Sequence, residues 1–118
     1  MSAYRCSNAE KAILQVFDYD DVWNNILFEQ PFEKDMINGA MVAWDNTARN
    51  RNGIVIKGAT PEKFEHYMKI LLEKESAMDM VVINAWNEWA EGAYLEADEK
   101  YGYGFLEALQ RAMMSKGF

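Results

Sequence analysis

The chain has 118 residues, 50% of them hydrophobic, and a net charge of -7 from 12 Lys plus Arg against 19 Asp plus Glu. That length and apolar share suit one domain with a compact core and exclude a disordered tail. The acidic balance opposes attraction to nucleic acid phosphates and to anionic lipid surfaces, so neither is an expected partner.

No apolar run approaches the roughly 18 residues of a spanning helix, and "MSAYRCSNAEKAIL" lacks the charged start and apolar core of a signal peptide. The expected location is therefore the cytoplasm. One cysteine, Cys6, and one histidine, His66, leave no internal disulfide and no Cys/His metal constellation. Cys6 is expected to be inert. No metal or other cofactor is implied.

Asp18 has the features of an N-cap, Asp21 supplies an acid in the first turn, and Val22, Ile26 and Leu27 form an apolar stripe before Pro31. This predicts a helix over 19–29. "MINGAMVAW" is a short apolar run ended by "DNTARNRNG", a buried strand feeding a polar loop. "GIVIKG" is a further short strand candidate. Thr60 as N-cap, Pro61 at the first helical position, and Phe64, Tyr67, Met68 and Leu71 at helical spacing predict a helix running to Ser76. "MDMVVINAW" has the β-branched, near-continuous apolar pattern of a strand covered on both faces. "YGYGFLEALQRAMM" closes the chain as a helix with Phe105, Leu109, Ala112 and Met113 on one face.

Helix, strand, helix, strand, helix argues for parallel strands joined by crossovers, an α/β fold. Ligands in such folds bind at the carboxyl ends of strands. "WDNTAR" and "NEWAEG" each follow a strand, so the two polar segments should be neighbours on one side of the sheet. Glu88 and Glu91 share a face only if the strand ends near Trp86 and the chain turns. Two carboxylates held close can divide acid and base roles, as glycosidic bond chemistry requires. Trp44, Trp86 and Trp89 offer flat faces for sugar rings, and Asp45, Asn46, Asn84 and Asn87 offer partners for hydroxyls. Arg49 and Arg51 suit either an acidic sugar or phosphate, or a solvated loop.

Plainer readings stand beside these. An E-x-x-E pair is common in acidic chains, tryptophans at strand ends usually cap a core, and His66 belongs on a helix surface. Met68, Met78, Met80, Met113 and Met114 read as core filler.

"VAWDNTARNRNG", "GATPEKFEHYMKILLEK" and "VVINAWNEWAEGAYLEADEKYGYGFLEAL" resemble the C-terminal part of the WbsX-like glycosyltransferase family. That family is related to glycoside hydrolase family 99, the endo-acting α-mannosidases and α-mannanases. The resemblance covers the chain from about Phe17, which divides it into an N-terminal segment of uncertain origin, 1–16, and a family part, 17–118.

It implies the C-terminal portion of a (β/α)8 barrel, with polysaccharide or O-antigen metabolism as the setting. In the related hydrolases the two glutamates of the N-E-W-x-E-G motif are catalytic, and they match Glu88 and Glu91. By that carry-over Glu88 acts as base toward the sugar's 2-hydroxyl, through a 1,2-anhydro intermediate. Glu91 acts as general acid and base at the glycosidic oxygen. Ala97 stands where the family commonly has proline, which loosens a turn without removing a catalytic group.

A complete barrel takes about 250 residues. A piece of one exposes sheet edges, so self-association, or completion by a separate N-terminal fragment, is expected. Two functions follow: a carbohydrate-active enzyme piece, for transfer or hydrolysis, or a catalytically silent oligomeric or sugar-binding module.

Overall fold

The computed structural model of the protein describes residues 2–5 and 13–117. Cys6 lies outside them. β1 (Ser2–Arg5) runs antiparallel to β2 (Ile13–Asp18), β2 lies parallel to β5 (Ile54–Lys57), and β4 (Trp44–Asp45) returns antiparallel on β5. Separately, β3 (Asn38–Met41) pairs in parallel with β6 (Val81–Asn84), with Asn38 opposite Val81 and Met41 opposite Asn84. A third, minimal ribbon joins β7 (Asn87–Glu88) to β8 (Ala93–Tyr94). The fold is mixed α/β, with small sheets of which none closes among the described residues.

Three strands are each followed by a helix. β2 leads into α1 (Tyr19–Asn24), which continues as a wider π-type turn, Asn25–Glu29. β3 is followed, after the β4–β5 hairpin, by α2 (Pro61–Leu72), and β6, after the β7–β8 ribbon, by α3 (Gly104–Ser115). The expected helix over 19–29 is present, capped as its sequence suggests: the Asp18 carboxylate accepts from the backbone N–H of Asp20 at 2.9 Å. The strand before it has no clear sequence signal, because "ILQVFD" adjoins a stretch without a recognisable pattern.

In α2 the Thr60 hydroxyl accepts from the Lys63 N–H at 3.2 Å, and Pro61 fills the first position. The helix stops at Leu72 rather than Ser76, and the reason is tertiary. The Ser76 hydroxyl accepts from the Asn38 N–H at 2.8 Å, and the Asn38 side-chain amide donates to the Glu75 carbonyl at 2.9 Å. These bonds draw 75–76 to β3 and satisfy the buried Asn38.

The helices share one core. Tyr19, Trp23 and Leu27 meet Phe64, Tyr67, Met68 and Leu71 of α2, while Phe105, Ala108 and Ala112 of α3 complete it with Val42 and Leu95. Trp23 stacks on Tyr67 with ring centroids 5.4 Å apart, and Phe64 meets Phe105 edge-on at 5.8 Å. The Tyr19 hydroxyl donates to the Val42 carbonyl at 2.8 Å, which fastens α1 to the end of β3; burial pushes this hydroxyl's pKa well up.

Two expectations about burial fail. β6 is covered on one side only: Val81 and Ile83 pack toward the core, whereas Val82 is 56% exposed because no layer covers its face among the described residues. Of the five methionines read as filler, only Met68 is buried; Met78, Met80, Met113 and Met114 are exposed. Correspondingly, α3 packs through Ala108 in place of Met113. His66 is exposed, as expected.

Candidate functional site

The site forms where the segments after β3 and β6 meet. Past Val42 the chain makes the β4–β5 hairpin, whose loop is internally braced. Asn46 receives the Ile54 N–H on its side-chain oxygen at 2.7 Å and donates its own N–H to the Ile54 carbonyl at 3.2 Å. Asp45 Oδ1 accepts from the Thr47 N–H at 3.0 Å and from the Thr47 hydroxyl at 2.6 Å. This bracing projects Arg49 from the loop.

The second segment turns soon after the cis peptide joining Asn84 to Ala85. β7 carries Glu88, a 3₁₀ turn over Trp89–Glu91 carries Glu91, and Gly92 reverses the chain at φ 60° so that β8 can pair back on β7. The strand thus ends and the chain turns, the condition under which the two glutamates can act together. Gly92 is demanded twice. Its φ is left-handed, and a Cβ there would stand 2.9 Å from the Asp45 N and 3.0 Å from the Asp45 O. The absent side chain lets the two segments touch.

Arg49 spans the junction. Its guanidinium lies 3.4 Å from Glu91 Oε1 and 3.9 Å from Glu88 Oε1, so one cation addresses both carboxylates. Arg49 and Glu88 are largely solvated, while the Glu91 side chain is 26% exposed. The pairs therefore orient more than they stabilise.

Around the carboxylates, Trp86 and Trp89 are 53% and 47% exposed and so are not core caps. One face of Trp89 is already covered by Tyr94, with centroids 3.8 Å apart and planes 19° from parallel. The Tyr94 hydroxyl donates to Asp98 at 2.9 Å, and burial, followed by this bond, pushes its pKa up to about 12. Tyr94 and Asp98 are not among the residues expected from sequence, although the four-residue step from tyrosine to acid is a signal for such a pair.

The remaining candidates divide. Asn87 is exposed beside Glu88. Asn46 is committed to its hairpin through its side-chain oxygen. Asn84 lies on the uncovered side of the sheet, where it lines an apolar groove of about 320 Å³ with Phe17, Met41 and Trp44. Trp44 is half-buried and also faces the cleft between the hairpin and the 93–105 segment.

The sequence model of the family described as Glycosyltransferase WbsX matches residues 2–109. The chain belongs to the WbsX glycosyltransferase family. The match begins at residue 2, so it takes in β1 and the part of β2 that precedes Phe17. Two relatives of this WbsX-family chain are proteins called "Uncharacterized protein WxcX" from Xanthomonas campestris pv. campestris. That of strain B100 is 33% identical over 104 residues, or 83% of this chain and 15% of the relative. That of strain ATCC 33913 is 38% identical over 81 residues, or 64% of this chain and 12% of the relative. The WbsX-family chain thus spans about one seventh of the length of the relatives it matches. No solved structure matches it. No helix among the described residues is long and apolar enough to cross a membrane.

Proposed function

We propose that this WbsX-family chain carries the acid/base end of a carbohydrate site that makes or breaks glycosidic bonds in a polysaccharide, with Glu88 and Glu91 as the reacting carboxyls. The observation that carries the reading is the convergence of both glutamates on Arg49 beside the exposed faces of Trp86 and Trp89. Glu91, the less exposed of the two, is the candidate proton donor to the departing glycosidic oxygen. Glu88 is the candidate base for the attacking hydroxyl. Arg49 holds the two side chains toward each other across the hairpin junction. It acts as a positioning residue.

The architecture fits the C-terminal portion of a (β/α)8 barrel. Support comes from three successive strand–helix units, the parallel β3–β6 pair, helices packed on one side and, among the described residues, an uncovered opposite side with unpaired strand edges. The same edges favour a second reading, in which the isolated chain is a catalytically silent module that completes its sheet with another copy.

Turnover of an α-mannoside with an unactivated alkyl leaving group, whose departure needs the proton that Glu91 would donate, by the wild-type chain and by Glu91→Gln separates the two. Measurable hydrolysis that falls about 100-fold or more in Glu91→Gln supports the enzyme reading. Equal and negligible rates in both proteins overturn it for this chain and leave the module.

A further inference from the structure

A second concavity adjoins the glutamates without containing them. It is a cleft of about 340 Å³ between the β4–β5 hairpin and the 93–105 segment, at the lower end of the sizes that hold small ligands. Asp45 and Gly92 line its near end, one residue from Glu91. Trp44, Tyr101, Lys57 and Lys100 line the rest.

The cleft is held open by fixed contacts at both ends. At the near end the Gly92 backbone abuts Asp45. At the far end the Tyr101 hydroxyl donates to the Ala59 carbonyl at 3.4 Å, and its ring stands edge-on to Phe105 with centroids 5.5 Å apart. The turn bearing Tyr101 is braced in addition by Asp98, which accepts the Tyr101 N–H at 2.7 Å and the Tyr94 hydroxyl at 2.9 Å.

The polar groups of the cleft are not equivalent. Its two carboxylates, Asp45 and Asp98, are each occupied by two hydrogen bonds from their own loops. Its two ammonium groups are exposed and enter no ion pair among the described residues; Lys100 Nζ lies 5.1 Å from the centre of the Tyr101 ring. In a chain of net charge -7, two cations outside any ion pair among the described residues, one of them over the Tyr101 ring, present donors for a ligand that is itself an acceptor. The aromatic faces suit a sugar ring, and the lysines suit a negative group on it.

We propose that this cleft is a subsite for an anionic sugar unit, carboxylated or phosphorylated, next to the unit held at Glu88 and Glu91. The inference rests on the carbohydrate reading of the glutamate site and adds the charge class of its neighbouring residue.

Arg49, the obvious cation for an acidic sugar, is engaged with the glutamates. An anion drawn to it would meet both carboxylates. Lys57 and Lys100 offer the same chemistry without that repulsion.

The test is a titration of the ¹⁵N-labelled chain with glucuronate, glucose 6-phosphate and glucose, reading the amides of Gly58, Ala59, Gly92 and Tyr101. Either acidic sugar is expected to shift these amides with an affinity about tenfold above that of glucose. The better of the two assigns the group as carboxylate or phosphate. Lys57→Gln combined with Lys100→Gln, both at exposed positions and so harmless to folding, should abolish the preference. Glu91→Gln should retain it, so loss of turnover with intact cleft binding bears on the catalytic reading alone. Glucose shifting the same amides equally overturns the proposal. So do shifts confined to Trp86–Glu91, no response to any of the three sugars, or an unchanged preference in the double lysine variant.

Discussion

Gly92 is the residue on which the junction depends, since both its left-handed φ and its contact with the Asp45 backbone forbid a side chain. Gly92→Ala is expected to cost about 1–3 kcal/mol in chemical denaturation and to separate the hairpin from the glutamates. Glu88→Gln and Glu91→Gln are expected to lower turnover about 100-fold or more with the thermal midpoint unchanged, because both side chains are partly solvated and neither enters the core. Arg49→Gln should lower turnover while changing stability by less than about 1 kcal/mol, the range of exposed ion pairs. Arg49→Lys should restore part of that activity, which a merely structural role would not require.

The residue types of the candidate site were legible in the sequence, since two tryptophans and two glutamates stand in one short motif after a strand. Their partners were not. Arg49 stands 42 positions from Glu91, and only the folded hairpin decides that it faces the carboxylates.

At the scale of elements, α2 is the part of the fold written most clearly in the sequence, because cap, proline and apolar stripe all agree locally. Thr60→Ala should cost about 1 kcal/mol through loss of the cap. Phe64→Ala should cost about 3–5 kcal/mol, since Phe64 is fully buried between Trp23 and Phe105. That is a large fraction of the stability of a domain this size.

The contact between α1 and α2 is also pH-sensitive. Lys63, which donates to Asp20 at 2.7 Å, and then Tyr67, hold the Asp20 carboxyl below its ordinary value of 3.8. A lowered folded-state pKa contributes stability that is present above the unfolded value and lost as pH falls through the folded one. The stability difference between wild type and Asp20→Asn should therefore be constant from neutral pH to about pH 5 and shrink below pH 3.8, as read by denaturant titrations at each pH. At the end of α2 and in the single-sided β6, the structure departs from local sequence pattern because distant parts of the chain decide what is bonded and what is covered. Asn38 draws Ser76 out of the helix, and no second layer covers Val82 among the described residues.

At the scale of the molecule, β3 and β6 form a two-stranded sheet whose outer edges are unpaired among the described residues, and Met36, Ile37, Met80 and Val82 are exposed along it. Unpaired backbone groups beside apolar side chains favour pairing with another strand. Light scattering on the purified chain should give a dimeric or larger mass, accompanied by a cooperative melt. A monomeric mass with the same melt would show that the open side is tolerated in water.

The sequence by itself determined the order of most elements, two helix caps, the aromatic core of α2 and the motif bearing the glutamates, because these depend on near neighbours and on side-chain chemistry. The tertiary structure alone decided that Arg49 meets Glu88 and Glu91, that Asn46 serves its own hairpin, that four methionines face solvent and that Lys57 and Lys100 line one cleft. Each of these depends on which distant segments are brought together and on which faces find a layer to cover them. Local propensity carries no record of either.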